Sequence, residues 1–252
     1  MKEINLLYFK YNGGYGNFGD ELSKFITESL LNKKKYKLVY NQKNKDINII
    51  CIGSYIHTAK NNYYIFGSGV RTPNSIKNKK LNICAIRGPL SKRIVESNGI
   101  QCPSIYGDPA LLLPLFYKPK VLPHLKNKIG IIPNFRQYHK FKGNIVHTEK
   151  YFLINPIDNW ENVINSIFSC KAIISSSLHG LICADAYKKP NLWLNQYPLN
   201  EGDFKFRDYF SSQGREYKNI KSVSNIKDIE EMFYKDGNKI NLLLLKKQFP
   251  FL

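Results

Sequence analysis

The segment Ile173–Pro190 concentrates residues that can do chemistry. An apolar run breaks into Ser175, Ser176 and Ser177, and His179 and Gly180 follow where a helix should begin. The first backbone N–H groups of a helix lack internal partners and carry partial positive charge. Serines at the cap and a glycine just behind let a phosphate or carboxylate come close to those donors. A histidine at the lip of such a site can move a proton near neutral pH. The same residues also fit an ordinary strand–turn–helix unit with a surface histidine.

Three further loops have this character. Asn17, Gly19 and Asp20 close a glycine-rich stretch, residues 11–20, and open a helix. Asp20 there reads equally as a helix cap or as a reacting carboxylate. Arg87 precedes Gly88–Pro89 at another helix start. Asp108 lies in GDPALLLP, residues 107–114, where its simplest role is to hold the loop ahead of its proline.

The elements that must position these loops alternate. Apolar runs at 4–9, 47–52, 63–66 and 82–86 predict strands, and helical spacing predicts helices at 20–31 and from about 89 to 97. The pattern restarts with strands expected at 129–133, 145–146, 151–154, 171–175 and 191–194, and helices at 158–168 and 178–187. The tail, 225–247, has a helical pattern with Ile226, Ile229, Phe233, Ile240 and Leu244 as core positions. Residues 116–128 mix prolines with lysines and read as a linker. The rhythm is that of an α/β fold with parallel strands in two halves, 1–118 and 119–225, across which a C-terminal helix within 226–252 packs back. No sequence repeat relates the halves. Ligands of such sheets bind beyond the carboxyl ends of the strands, which singles out loops 11–20, 53–57, 67–71, 87–89 and 175–180.

Composition narrows the class. With 43% hydrophobic residues in 252, the chain can bury a full core and is not a disordered protein. The net charge of +19 attracts anions: nucleic acid, lipid headgroups, or small phosphates and carboxylates. Five cysteines without a C-x-x-C pair fit reduced thiols and a cytoplasmic location, and their spacing does not suit a metal. The N-terminal apolar run is a strand candidate, too short for a signal peptide, and no apolar run approaches the ~20 residues of a membrane span.

Taken in order, NFGD (17–20), RGPLS (87–91), GDPALLLP (107–114), IGIIPN (129–134), SSSLHGLICADAYKKP (175–190) and FKFRDYF (204–210) resemble the polysaccharide pyruvyl transferase family. The last piece is similar to the closing motif of its short, succinoglycan-type ketal-pyruvate transferases. The resemblance implies two Rossmann-like domains with a central cleft, arranged as in the GT-B glycosyltransferases. It implies phosphoenolpyruvate as donor and a sugar of a capsule or exopolysaccharide precursor, expected to be lipid-linked, as acceptor. The product would be a cyclic pyruvate ketal, with phosphate released and no metal or further cofactor required. The expected location is the cytoplasm, with peripheral contact at the inner membrane face. Two positions depart from the family pattern: Ser177 stands where many members carry an arginine, and Asn134 where a histidine is frequent.

On this resemblance His179 and Asp20 are the acid–base candidates, with the assignment between them open. A phosphate is expected near Ser175, Ser176, Ser177 and Gly180, and a carboxylate at Arg87, whose planar fork suits it better than a lysine would. Arg207 and Lys205 are further anion ligands, and Asn17 and Gly19 complete the binding set. Lys205 and Arg207 also read as solvated charges. The competing expectations are a GT-B-type glycosyltransferase using a nucleotide sugar, and a basic nucleic-acid-binding module. The second lacks any helix-turn-helix, zinc-finger or RNP pattern, so nucleic acid is not an expected partner.

Overall fold

The computed structural model describes residues 1–9, 17–73, 76, 80–144, 148–197, 202–223 and 231–252. Most of the 11–20 loop and the expected strand at 145–146 lie outside the described residues.

The first half holds five parallel strands: β1 (Lys2–Leu6), β2 (Tyr36–Tyr40), β3 (Asn48–Ile50), β4 (Tyr64–Phe66) and β5 (Asn82–Ala85). The second holds β6 (Ile129–Ile132), β7 (Tyr151–Leu153), β8 (Ala172–Ser175), β9 (Asn191–Leu194) and β10 (Asn219–Ile220), again all parallel. Strands β3, β6, β8 and β9 are buried at every position, as expected where a parallel sheet is covered on both faces.

The strand orders are β2-β1-β3-β4-β5 and β10-β9-β8-β6-β7. Renumbered within its own half, the second sheet has the same order as the first. The two halves therefore repeat a topology that leaves no repeat in their residues. In each sheet the order reverses between the first and third strands of its half, β1 and β3 or β6 and β8, and the loops leaving those strands diverge to open a crevice.

Helices α1 (Phe18–Leu30) and α2 (Pro89–Ser97) belong to the first half. Helices α3 (Tyr138–Asn144), α4 (Trp160–Ser169), α5 (Leu178–Ala186) and α6 (Phe204–Ser212) follow strands of the second. Asn17 caps α1, its side-chain oxygen accepting from the Gly19 and Asp20 amides. Proline at the first turn of α2 costs nothing, because that N–H has no helical partner.

Two devices join the halves. Residues Pro109–Leu115 form a 3₁₀ helix whose first five residues are buried, packed against both α1 and α5. Leu111–Leu113 thereby sit in one continuous apolar cluster with Leu6 and Leu22 of the first half and Ile173 and Leu181 of the second. Helix α6 is the other device. Its Phe206 stacks on Trp193 of β9, while its opposite side packs on α2. The segment expected as a linker is bonded along α4: Tyr117 Oη and the Lys120 amide both donate to Asn165 Oδ1, at 2.9 and 2.8 Å, and the Leu122 amide to Ser169 Oγ.

The C-terminal helix expected over the tail is corrected. Of the described part, only Leu242–Lys247 is α-helical, here α7. Before it the chain makes an antiparallel bridge, Tyr234 to Asn191, and Gly237 adopts φ 69°. After it Phe249 and Phe251 pack edge-on against Phe66, Tyr64 and Tyr36 of the first half. Leu244, expected in the core, is exposed, and Leu245 takes that place. Ile226 and Ile229 lie outside the described residues. Among the described residues no helix is long and apolar enough to cross a membrane.

Candidate active site

A cavity of about 850 Å³, counting its open mouth, lies where the strand-order reversals of the two sheets face each other. Its first-half wall is Phe9, Asn17 and Asp20 after β1, Ser54 and Tyr55 after β3, and Arg71 after β4. Its second-half wall is Asn134 to Arg136 after β6, Pro156 after β7, Ser177 to His179 after β8, and Lys205 at the start of α6. Every one of these lies beyond the carboxyl end of a strand, as parallel sheets require.

His179 is set into the opposite half. A Cβ on Gly19 would lie 2.0 Å from His179 Nδ1, so any larger residue at the start of α1 must displace the imidazole. That close approach requires a glycine there. The imidazole is nearly buried, and burial, with Lys205 and Arg87 as neighbouring positive charges, lowers its pKa to about 3. It is therefore neutral at physiological pH. Its Nε2 is sealed from solvent and has no hydrogen-bond partner.

Asp20 is pushed the other way. Surrounding protein raises its carboxyl to about 7, and Glu21 adds to the rise, against the pull of a hydrogen bond from Asn17 Nδ2. At neutral pH it carries a proton about half the time. Asn17 thus both caps α1 and holds the carboxyl beside the cavity.

The cations of the cavity are Arg71, Arg136 and Lys205. Arg136 lies over the Phe135 ring at 5.4 Å. Phe9 meets Tyr55 and Phe135, each at 6.3 Å between ring centres, so aromatic faces from both halves form one wall.

Arg87 takes a different role from the one expected. It is fully buried and absent from the cavity wall. Nε donates to Asp208 Oδ2 at 2.9 Å, Nη2 to the Val70 carbonyl at 3.1 Å, and Nη1 to Ser54 Oγ. Gly69 leaves room for it, since a Cβ there would lie 2.2 Å from Cζ. Asp208 also accepts from the Ser91 amide and hydroxyl at the start of α2. The guanidinium is a fastener between α2 and α6, with its fork committed to protein.

The serines divide. Ser175 Oγ bonds the Ile132 and Ser177 carbonyls and sits against Gly180, and Ser176 Oγ accepts from the Asn134 amide. Both are inward-facing ties between the β6 and β8 loops. Ser177 alone of the three lines the cavity, capping α5 without a side-chain bond to it. Arg207 lies elsewhere, in a separate depression beside Pro73 and Leu90. Of the expected set, the cavity brings together Asn17, Asp20, Ser177, His179 and Lys205. It adds Arg71, at the end of the expected loop 67–71, and Arg136, two residues beyond IGIIPN, neither of which was among the expected ligands.

Residues 3–196 match the polysaccharide pyruvyl transferase family. The chain belongs to this family. The succinoglycan biosynthesis protein ExoV of Rhizobium meliloti is 26% identical over 230 residues, covering 83% of this chain and 66% of that protein. An uncharacterised protein of Acanthamoeba polyphaga mimivirus is 27% identical over 231 residues, 89% of this chain and 79% of its own. Solved structures overlay loosely. A functionally uncharacterised Klebsiella pneumoniae protein has a TM-score of 0.49 at 15% identity, covering 87% of this chain and 93% of its own. The wall teichoic acid polymerase TagF has a TM-score of 0.42 at 12% identity, covering 98% and 82%. Membership of the pyruvyl transferase family makes the chain a transferase, acting in polysaccharide biosynthesis.

Proposed function

We propose that this pyruvyl transferase takes its group from phosphoenolpyruvate and closes it as a ketal across two hydroxyls of one sugar, releasing phosphate. The observation that carries the reading is the opposed pair, Asp20 and His179, in a cavity with three cationic side chains. One environment raises a carboxyl toward neutrality and the other keeps an imidazole uncharged, which separates an acid from a base at the same pH.

In this reading protonated Asp20 donates to the C3 methylene, and C2 becomes electrophilic. A sugar hydroxyl adds to C2 as its proton passes to His179. The C2–O bond to phosphate then breaks, and the departing phosphate takes that proton from His179. The second hydroxyl adds to C2, and its proton restores Asp20. Two hydroxyl protons are lost, one to the methyl group and one to phosphate, so the steps balance. Arg71, Arg136 and Lys205 offset the donor's charge, with the amides at the start of α5. The Phe9, Tyr55 and Phe135 rings offer a face for the sugar.

The cavity at the two crevices is the feature that supports a GT-B-like arrangement. We read the acceptor as a lipid-linked unit of a capsule or exopolysaccharide, which the chain's positive field would draw it toward at an anionic membrane face.

The test is incubation with phosphoenolpyruvate and a panel of sugar glycosides, following phosphate release and the ketal methyl singlet by NMR. Release dependent on a glycoside with two free hydroxyls is expected. Thermal stabilisation by a nucleotide sugar, with none by phosphoenolpyruvate, would overturn the reading.

A further inference from the structure

Among the described residues, two buried polar atoms beside the cavity lack hydrogen-bond partners and face each other. They are His179 Nε2, at the start of α5, and Asp108 Oδ2, at the cap of the 3₁₀ helix Pro109–Leu115; they lie 3.9 Å apart. An orphaned buried polar atom costs about 1–3 kcal/mol, so two adjacent orphans call for an explanation.

The two oxygens of Asp108 are used differently. Oδ1 accepts from the Ala110 amide at 3.0 Å and holds the cap. The Gly53 amide also favours the ionised carboxyl, but Oδ2 makes no hydrogen bond within its own loop. It points across the seam between the halves at a neutral imidazole, which can offer one N–H. His179 lines the cavity, and with Nε2 sealed the nitrogen left for a substrate is Nδ1, on the Gly19 side of the ring.

We propose that Asp108 is the positioning residue of His179, fixing the imidazole as its Nε2–H tautomer so that the Nδ1 lone pair faces the cavity. The contact is longer than a hydrogen bond at rest, and such contacts tighten when substrate fills a site. When Nδ1 takes a hydroxyl proton, the imidazolium gains a carboxylate at its other nitrogen. That carboxyl is raised by burial only to about 6, so it is mostly ionised at neutral pH. The other charged or titratable groups around the ring are Lys205 on α6, Arg87 ahead of α2, Asp20 on α1 and, one turn along α5, Cys183, whose thiol burial keeps protonated. Lys205 and Arg87 oppose a charge on His179, which leaves Asp108 as the group placed to stabilise one at Nε2.

This inference rests on the proposed function for its catalytic meaning, but the tautomer can be read without substrate. The whole protein labelled with ¹⁵N-histidine gives separate nitrogen signals, with His179 assigned by their loss in His179→Gln. An Nε2–H pattern for His179 at pH 7.5 is expected. In Asp108→Asn, Oδ1 still caps the helix while an amide N–H replaces Oδ2, which favours the Nδ1–H tautomer. That variant should lose about 100-fold or more in kcat, as wrong-tautomer changes do, with the KM for phosphoenolpyruvate within about twofold. Asp108→Ser keeps a cap oxygen, removes Oδ2, and should also lower kcat; it serves if the Asn variant does not fold. An Nδ1–H pattern in the wild type, or a tautomer unchanged in both variants, overturns the proposal whatever the activity. Inactivity of the wild type on phosphoenolpyruvate, with the tautomer as expected, would refute the proposed function and leave the pairing standing.

Discussion

Asp208, on the helix that follows the fourth strand of the second half, accepts the Nε–H of Arg87 in the first half at 2.9 Å, with both side chains fully buried. The contact ties residues 121 positions apart and sits behind the cavity, not in it. Desolvated charges of this kind hold only while both partners and their hydrogen bonds are present.

Removing one partner should therefore act on stability first. Asp208→Ala is expected to cost about 3–5 kcal/mol, because it strands a buried guanidinium. Arg87→Lys should also lose stability, since the contacts to Ser54 and Val70 need the fork. Urea denaturation measures both. At a temperature where Arg87→Lys is folded, its KM for phosphoenolpyruvate should stay within about twofold of wild type; a large rise would return Arg87 to the binding site.

Donor affinity should depend instead on the cations of the cavity wall. Arg71→Ala and Arg136→Ala are each expected to raise the KM for phosphoenolpyruvate by about 10–100-fold, the equivalent of one charge-assisted hydrogen bond. Arg207→Ala, in its separate depression, should leave it unchanged. Steady-state kinetics with varied donor decides between them.

The first turn of α1 offers a sharper probe of the imidazole. Gly19→Ala places a methyl group where His179 Nδ1 now lies, so the ring must move. We expect kcat to fall at least tenfold with circular dichroism unchanged. Wild-type turnover in that variant would show that the position of His179 is not needed.

The pH dependence has a definite sign. If Asp20 acts as the acid, kcat should fall as pH rises through about 7, and Asp20→Asn should remove both activity and that limb. Stability follows the same group. Its folded pKa lies above the ordinary 3.8, so the folded state holds the proton more tightly between about 4 and 7, and stability declines as pH rises through that window. Asp20→Asn should flatten the decline. His179 has the opposite sense: its folded pKa is depressed, so its contribution is lost as pH falls from about 6.5 towards 3. Urea midpoints at pH 5 and 8, wild type against Asp20→Asn, test the first point.

The sequence was most readable where burial alone sets residue type. Apolar runs such as Ile129–Ile132 and Asn191–Leu194 stand out because a covered parallel strand tolerates little else. Strand β2 did not, because Tyr36–Tyr40 is an edge with only Val39 buried, following a run of lysines. The tail misled for a related reason: its apolar spacing is real, but Phe233, Leu245, Phe249 and Phe251 fill gaps in different places instead of one helical face. At the site, motif order located the loops, and loop position is what brought Asn17, Asp20, Ser177 and His179 to one cavity. Side-chain direction is not written locally. Arg87 looked like a ligand because nothing near it in sequence reveals Asp208, while Arg71, although inside the expected loop 67–71, and Arg136 were not named as ligands because a lone arginine past a strand end has no pattern.

The 3₁₀ helix Pro109–Leu115 gives each half part of its interior. A first half cut free near residue 118 would present Leu111–Leu113 to water on the side that α5 now covers, and a second half would show the bare face of α5. The repeated strand order suggests two interchangeable modules, yet neither could be swapped, expressed alone or recombined between relatives without also exchanging that helix and its sockets. The two sheets are tied to a common inheritance: whatever changes one side of the cavity must remain compatible with the other.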